Sequence, residues 1–343
     1  MTILKINSRV IGKNSLPLII PEIGINHNGE MKKAEKMILD AHHSGAECVK
    51  FQCHIIDDEM IENDVIPPNA QESIWKMMKR CSFSKTQESK LKKLTERLGM
   101  IYLNTPFSKS AVDRLEDLGI SCYKIGSGEC TNFPLIKYIA SKNKPIILST
   151  GMSTFEQIQE SVKIIKKSGN PLAIMHVTSQ YPTPYQNVRL ETLTILGKKF
   201  PNVIIGLSDH SLKNYVAYGA IALGAKIIEK HFTSSTKWKG SDIPISITPK
   251  ELRELILGVK AVSLAMTKKV KILKEELQVA KFAYASVVSI NEIKKGEKLS
   301  SSNIWVKRPG TGKILAKNFS KILNKKARKN IPKDTQIGWD MIE

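Results

Sequence analysis

Short apolar runs rich in β-branched residues alternate with amphipathic stretches of helical length along most of the chain. The apolar runs predict eight strands, at residues 16–23, 48–52, 100–104, 122–125, 145–148, 172–177, 203–206 and 226–229. The amphipathic stretches predict helices, at residues 31–43, 85–98, 110–118, 155–167, 212–223 and 250–265. Eight strand and helix units in about 250 residues predict an α/β fold of the (β/α)8, or TIM barrel, type. A doubly wound open sheet is the alternative, because periodicity does not show whether a sheet closes.

The pattern changes after residue 265. It predicts a barrel domain at residues 1–266, a lysine-rich linker with some helix at 267–283 and a small, partly β domain at 284–343. Strands are expected in this last domain at 285–290 and 303–307. Because so short a domain buries little surface, we expect it to rest on a partner surface. The alternative is an independent module that binds glycan, ice or nucleic acid.

Composition narrows the class of protein. With 343 residues and 41% hydrophobic content, the chain can bury a large core, which excludes a disordered tail. No apolar run approaches the roughly 18 residues of a membrane helix, and the start lacks the layout of a signal peptide, so we expect a cytoplasmic protein. Scattered cysteines without a C-x-x-C pair argue against a disulfide framework and a cysteine zinc site; they are Cys48, Cys53, Cys81, Cys122 and Cys130.

The chain is strongly basic, since 53 Lys and Arg against 32 Asp and Glu give a net charge of +21. Such a field suits either a nucleic acid backbone or small anionic substrates. The excess is greatest in the last 60 residues, where 13 Lys and Arg against 5 Asp and Glu give +8. These lysines are interleaved with apolar residues and form no nucleic-acid motif, so we expect no nucleic acid partner.

Polar residues follow all eight predicted strands, at the barrel end where TIM-barrel chemistry occurs. Lys50 and Lys124 follow apolar strands and would meet in a shared mouth, where two ammonium groups repel unless an anion lies between them. Nearby hydroxyls and glycine turns suit a phosphate; the hydroxyls belong to Thr105, Ser127, Ser149 and Ser208. The pattern therefore predicts an anionic, phosphorylated substrate.

Two histidines, His210 and His231, end the neighbouring strands seven and eight. Their imidazoles would converge on one divalent ion, completed by water or substrate oxygens, which is typical of a catalytic Mn²⁺ or Mg²⁺ site rather than structural zinc. Surface or packing roles are expected for the other histidines considered, which are His42, His43, His54 and His176.

Carboxylates occur at the same strand ends. Glu22, Glu129 and Asp242 are candidates for binding hydroxyls or moving protons. Glu229 has two interpretations, a group that supports the metal ligands or an ion pair with Lys230 or a core lysine.

With these residues in view, the chain resembles the sialic acid synthase (N-acetylneuraminate synthase) family over essentially its whole length. The stretches that carry the resemblance are PEIGINHNG at 21–29, YKIGSGE at 123–129, LSTGM at 148–152, YPTP at 181–184, GLSDH at 206–210 and EKHF at 229–232. ASVV at 285–288 and VKRPG at 306–310 resemble the family's antifreeze-like (SAF) domain.

The resemblance implies a TIM barrel followed by an SAF domain, assembled as a homodimer with swapped C-terminal domains. It implies condensation of phosphoenolpyruvate with N-acetylmannosamine, with release of phosphate by C–O cleavage and a divalent metal, for which we expect Mn²⁺, with Mg²⁺ or Co²⁺ as alternatives. The residues implied for phosphoenolpyruvate are Lys50, Thr105, Lys124, Ser127, Ser149 and Ser208. Those implied for the sugar are Glu22, Gln52, Asn69, Tyr181, Asp242 and Arg308, the last reaching from the partner's tail domain. The residues implied for catalysis are Glu22, Glu129, His210 and His231, of which the histidines hold the metal.

Two points stay open within the resemblance. Either the metal or Glu129 would activate water. Phe51, Ser179 and Ser241 depart from residues common in bacterial sialic acid synthases, which brings in legionaminic or pseudaminic acid synthesis from a diacetamido-trideoxy sugar as the alternative. The stretches at 58–60 and 68–70 favour the N-acetylmannosamine branch.

Overall fold

A computed structural model describes residues 3–266 and 270–343, and the chain forms two compact units that divide after residue 267. The first three residues of the predicted linker, 267–269, lie outside the described residues, and the exact domain boundaries stay predictions. None of the described helices has the length and apolar character needed to cross a membrane.

The first unit begins with a two-stranded antiparallel hairpin, β1 (Ile3–Ile6) and β2 (Arg9–Gly12). Eight parallel strands follow and close into a barrel in the order β10-β3-β4-β5-β6-β7-β8-β9. They are β3 (Leu18–Gly24), β4 (Cys48–Cys53), β5 (Ile101–Pro106), β6 (Tyr123–Ile125), β7 (Ile146–Ser149), β8 (Leu172–Val177), β9 (Ile204–Asp209) and β10 (Ile227–His231). All eight predicted strands are confirmed, and closure through the pairing of β10 with β3 excludes the open sheet.

A helix follows each barrel strand. The helices of this unit are α1 (Met31–His43), α2 (Ile56–Glu59), α3 (Ile74–Cys81), α4 (Lys85–Arg97), α5 (Lys109–Asp117), α6 (Phe133–Ala140), α7 (Phe155–Lys167), α8 (Tyr185–Val188), α9 (Glu191–Lys199), α10 (Tyr215–Ala222) and α11 (Pro249–Ala265). Reciprocal side-chain and backbone hydrogen bonds begin α4, α7 and α11, and these capping boxes satisfy N–H groups that a helix start leaves free. The six predicted helices are confirmed, with ends displaced by up to three residues.

The barrel wall has an apolar layer on its outer side and another on its inner side, because successive strand residues face opposite sides. The outward residues pack against the helices, as Ile19 and Ile23 of β3 do. The inward residues of the strand starts form a second cluster with Leu4, Ile6 and Ile11 of the hairpin. The hairpin therefore closes the amino-terminal end of the barrel.

The inward residues change character along each strand. In β4, buried Cys48 is followed two residues later by Lys50 and then by Gln52, and in β10 Ile227 is followed by Glu229 and His231. The interior is thus apolar at the starts of the strands and charged or hydroxylated at their carboxyl ends.

The second unit contains α12 (Glu276–Ala283), β11 (Ser286–Ser289), β12 (Ile304–Lys307) and α13 (Phe319–Ile322). The antiparallel pair of β11 and β12 confirms the two predicted tail strands. This unit has an apolar core of its own, which includes Val287, Ile293, Leu299, Ile304 and Ile337.

Candidate active site

A cavity of about 810 Å³ opens at the carboxyl ends of the barrel strands. It brings together most of the residues that the sequence placed in one site. Those that line it are Glu22, Lys50, Gln52, Asn69, Thr105, Lys124, Ser127, Ser149, Tyr181, Ser208, His210, His231 and Asp242.

Two predicted residues belong to parts of the chain other than the barrel strands. Glu129 lies in a short 3₁₀ turn after β6, where its carboxylate accepts a hydrogen bond from Asn132, and it is absent from the cavity lining. Arg308 belongs to the second unit, directly after β12. Ser127 and Gly128 of the same turn line the cavity, and the role of Glu129 stays a prediction.

Four buried charges occupy the floor of the cavity. Lys50 Nζ lies 2.7 Å from Glu22 Oε2 and 3.8 Å from Glu229 Oε2. Lys124 Nζ lies 3.8 Å from the other oxygen of Glu229, Oε1. A carboxylate of the protein therefore lies between the two lysines. This corrects the expectation that the lysines by themselves require a bound anion.

Burial and pairing shift the ionisation of these four groups in different directions. Burial raises the pKa of Glu22 to about 7 against the opposing effect of Lys50, and it lowers the pKa of Lys124 to about 8 against that of Glu229. Burial also opposes the charged forms of Lys50 and Glu229, but their partners outweigh it, so the pKa of Lys50 is raised and that of Glu229 is lowered. Glu22 and Lys124 are thus the two groups that change charge most readily near neutral pH.

Hydroxyl groups surround the charges. Lys50 Nζ donates to Thr105 Oγ1 at 3.2 Å and Lys124 Nζ to Ser149 Oγ at 2.6 Å. The hydroxyl of Ser208 donates to Glu229 at 3.0 Å. These bonds fix the ammonium and hydroxyl groups, so the floor presents several oriented donors to an oxyanion.

The two histidines lie side by side on the cavity wall, with ring centroids 5.4 Å apart. Nδ1 of His210 bonds the Thr178 carbonyl at 2.9 Å, so Nε2 is the ring nitrogen that remains for a ligand in the cavity that His210 lines. Nδ1 of His231 is buried without a hydrogen-bond partner among the described residues and lies 3.5 Å from the Asp242 carboxylate. Burial lowers the pKa of His210 to about 4 and that of His231 to about 3, so both rings are neutral at pH 7, as metal ligands must be.

The protein therefore supplies only some of the ligands that a metal ion at this site would need. Within residues 3–266 and 270–343, no group of three or more His, Cys, Asp or Glu side chains is arranged to hold a metal ion. Two neutral imidazoles and one unpartnered ring nitrogen fit an ion whose remaining ligands come from water or substrate.

Amides and carboxylates form one side of the mouth. Gln52 Nε2 donates to Glu22 Oε1 at 2.9 Å, and Asn69 Nδ2 donates to Asp242 Oδ1 at 3.3 Å. Burial raises the pKa of Asp242. Tyr181 stacks on His210, with the two ring centroids 4.2 Å apart. An apolar wall accompanies these groups; it consists of Ile25, Pro67, Pro68, Ile74, Met77 and Met78.

Sequence reasoning did not find the group behind Gln52. His54 Nε2 lies 3.0 Å from Gln52 Oε1, and its Nδ1 lies 2.8 Å from the Glu59 carboxylate. His54, expected as a surface or packing residue, therefore orients a predicted sugar-binding amide. The two-residue alternation of strand side chains could have indicated this role, because His54 follows Gln52 by two positions and continues the inward face of β4.

The same alternation settles which partners Glu229 has and whether Phe51 faces the cavity. Glu229 pairs with the core lysines Lys50 and Lys124, whereas outward-facing Lys230 pairs with Asp209. Phe51 faces outward and stacks on Tyr102, so its departure from histidine does not alter the cavity wall directly. Ser179 and Ser241 do line the cavity.

A closed (β/α)8 barrel with buried lysines, carboxylates and imidazoles at the carboxyl ends of its strands belongs to the class of TIM-barrel enzymes. The NeuB family model matches residues 37–271, and the SAF domain model matches residues 284–343. The chain therefore belongs to the NeuB family and carries a C-terminal SAF domain, which confirms the family expected from the sequence.

Relatives are similar over nearly the full length of the chain. N,N'-diacetyllegionaminic acid synthase of Campylobacter jejuni is 35% identical over 93% of this chain and 98% of its own. The synthase of the same name from Legionella pneumophila is 32% identical over 97% and 96%. The crystal structure of N-acetylneuraminic acid (sialic acid) synthetase from Leptospira borgpetersenii in complex with citrate superposes with a TM-score of 0.74 at 28% identity, covering 81% of this chain and 94% of that one.

Proposed function

We propose that the protein is an N-acetylneuraminate synthase, which condenses phosphoenolpyruvate with N-acetylmannosamine and water to give a nine-carbon 2-keto acid and phosphate. One observation carries the proposal. Lys50 and Lys124 are each fixed by a hydroxyl at the floor of a cavity whose wall holds two neutral imidazoles. Membership of the NeuB family supports it.

Phosphoenolpyruvate binds at the floor in this proposal. Its phosphate and carboxylate accept hydrogen bonds from Lys50, Lys124 and the surrounding hydroxyls, which are those of Thr105, Ser127, Ser149 and Ser208. The internal carboxylates Glu22 and Glu229 keep the lysines extended into the cavity before the substrate arrives.

A divalent ion is held by His210 and His231, with Mn²⁺ as the proposed metal and Mg²⁺ or Co²⁺ as alternatives. When bound, the ion supplies a positive charge that polarises the aldehyde oxygen of the open-chain sugar. The chain's own contribution is to hold both imidazoles neutral by burial.

The sugar occupies the mouth above phosphoenolpyruvate. Gln52, Asn69, Tyr181 and Asp242 bind its hydroxyl and amide groups. Arg308 reaches it from the partner's SAF domain in a homodimer with swapped C-terminal domains, where its planar guanidinium suits an amide oxygen.

Bond formation then follows from placing the two substrates in one buried site. C3 of phosphoenolpyruvate attacks the aldehyde carbon, and water adds to the electron-poor C2. Loss of phosphate by C2–O cleavage gives the keto group; of the two protons that the water oxygen gives up, one leaves with the phosphate and the other returns to Glu22. Glu22, whose pKa is about 7, holds a proton near neutral pH and delivers it to the former aldehyde oxygen. Glu129 lies outside the cavity lining, so this scheme assigns it no step, and Glu22 is the acid.

A second sugar is favoured by a specific observation. The mouth carries the apolar wall that includes Ile74, Met77 and Met78, and such a wall accepts a methyl group better than a hydroxymethyl group. The relatives named N,N'-diacetyllegionaminic acid synthase are 35% and 32% identical. A diacetamido-trideoxy mannose-type sugar is therefore the second candidate.

The test measures phosphate release from phosphoenolpyruvate with Mn²⁺ and either sugar, with the nine-carbon product identified by mass spectrometry. Release that requires N-acetylmannosamine and is stopped by a chelator supports the proposal. Release with only the diacetamido-trideoxy sugar replaces the substrate and keeps the reaction. Sugar-independent release, or none with either sugar, contradicts the proposed function. Lys50→Met serves as the inactive control and Lys226→Met, a change at the opposite end of the barrel, as the active one.

A further inference from the structure

A buried ion pair lies directly behind the two histidines. Asp209 precedes His210 and Lys230 precedes His231, and the two are direct partners in the register of β9 and β10. Because successive strand residues face opposite sides, the histidines face the cavity while the ion pair lies on the outer side of the barrel wall. Each charged side chain is 1% exposed.

The contacts of the pair hold the chain on both sides of His210. Lys230 Nζ donates to Asp209 Oδ2 at 2.8 Å and to the Ser211 carbonyl at 2.6 Å. The other oxygen of Asp209, Oδ1, accepts from the Ser211 amide at 2.8 Å. Residues 209 and 211 are therefore both fastened to the strand that carries His231.

No substrate contact accounts for this pair, because neither Asp209 nor Lys230 lines the cavity. Stability does not account for it either, since apolar residues of similar volume usually serve a barrel wall as well as a buried ion pair does or better. What the pair supplies is a set of hydrogen bonds that fix the backbone on both sides of His210.

We propose that Lys230 and Asp209 are positioning residues that set the backbone of His210 relative to His231 and so hold the two imidazoles at the separation a shared metal ion needs. The inference rests on the proposed metal site. His210 is further restrained by Thr178, which binds its Nδ1, so its remaining freedom is that of its backbone, which the ion pair removes.

The variants separate positioning from folding. Lys230→Met leaves a buried, unpaired carboxylate and is expected to destabilise the protein strongly. The double variant Lys230→Met with Asp209→Leu replaces the pair by apolar groups but leaves the buried Ser211 amide and carbonyl without these partners, so its melting temperature should fall, though less than that of Lys230→Met. Arg114→Met is the matched control, because it also leaves a buried carboxylate without its partner, that of Glu88 at 3.3 Å, between helices α4 and α5.

The experiment is calorimetric titration of the metal-free, full-length protein with MnCl₂, together with titration by phosphoenolpyruvate in the absence of metal. The double variant should bind Mn²⁺ about 10- to 100-fold more weakly than the wild type, as loss of groups that orient metal ligands does, and should bind phosphoenolpyruvate normally. Arg114→Met should have a lower melting temperature than the wild type and an unchanged Mn²⁺ affinity.

Three results would overturn the inference in distinguishable ways. Wild-type Mn²⁺ affinity in the double variant removes the positioning role and leaves the metal site intact. Equal losses of affinity in the double variant and Arg114→Met make the effect one of general destabilisation. Failure of the wild type to bind Mn²⁺ removes the proposed metal site together with the inference.

Discussion

At the scale of single residues, Glu229 is the group on which the cavity floor depends. It contacts both Lys50 and Lys124 and accepts the hydroxyl of Ser208. In the proposed reaction, an incoming phosphate would therefore replace the carboxylate partners of the lysines instead of entering an empty cationic site. Such an exchange lets the lysines remain charged while buried, which isolated ammonium groups do not.

The affinity for phosphoenolpyruvate should fall as the pH rises above about 8. Burial lowers the pKa of Lys124 to about 8, and the neutral amine formed above that pH offers no charge to the phosphate. The loss should approach tenfold per pH unit, measured by calorimetry between about pH 7 and pH 9.5. Lys124→Met should weaken binding roughly 10- to 150-fold at pH 7 and flatten the pH dependence.

Lys226→Met is the control for this titration. Burial also lowers the pKa of Lys226, but its side chain bonds Ser15 before the start of β3, at the opposite end of the barrel. A pH dependence that disappears in Lys226→Met, or that persists in Lys124→Met, would assign the titration to another group.

Gly151→Ala should weaken phosphoenolpyruvate binding about tenfold or more without unfolding the protein. A Cβ atom at this position would lie 2.8 Å from the Ser127 hydroxyl and would also meet that of Ser179, so both cavity hydroxyls must move. Gly128→Ala is the control, since its Cβ would meet no atom within 4 Å. Equal affinities of the two variants, measured by calorimetry, would show that the hydroxyl positions are unimportant.

Part of the candidate site followed from position in the sequence, because Lys50, Gln52 and Lys124 stand toward the carboxyl ends of confirmed strands. The ion pairs among these residues could not be predicted in this way. Glu229 and Lys50 are far apart in the sequence and meet only because β10 closes the barrel against β3. Glu129 lies in a local 3₁₀ turn after β6 and is absent from the cavity lining, and its role stays a prediction.

At the scale of elements, the barrel strands were predictable because each is a buried apolar run. The β1 and β2 hairpin was not, since each of its strands has only four residues and only two of them are buried. Its sequence resembles an ordinary terminus. Only the barrel supplies the apolar surface that makes the hairpin fold there.

Ile6→Ala should lower the free energy of unfolding by roughly 2 to 5 kcal/mol, because it removes a fully buried side chain from the cluster that closes the barrel. Phosphoenolpyruvate affinity should be unchanged, since the cavity lies at the other end. Ile3→Ala, in the same strand but 55% exposed, is the control. Chemical denaturation and calorimetry measure the two quantities, and a loss of affinity in Ile6→Ala would couple the hairpin to the site.

At the scale of the whole molecule, the proposed swapped dimer makes a prediction that an independent tail module does not. Arg308→Ala should raise the KM for the sugar about tenfold or more, and Lys50→Met should abolish turnover. Mixed dimers of these two inactive or impaired chains should regain activity, because one barrel then keeps Lys50 and receives Arg308 from its partner.

Unfolding and refolding the two variants together, then measuring phosphate release, tests this complementation. Arg328→Ala, an exposed arginine of the same unit, is the control and should behave as the wild type. An absence of recovery in the mixture would mean that each chain supplies its own Arg308 or that the tail acts separately from the barrel.

In the proposed reaction both substrates would enter through the mouth, because the hairpin closes the other end of the barrel. Lys50 and Lys124 are 3% and 2% exposed, whereas Tyr181 at the mouth is 38% exposed, so a sugar bound first would block the route to the floor. The kinetic mechanism should therefore be sequential and ordered, with phosphoenolpyruvate leading. A non-reactive sugar analogue should inhibit uncompetitively against phosphoenolpyruvate, while mixed inhibition would reveal random entry.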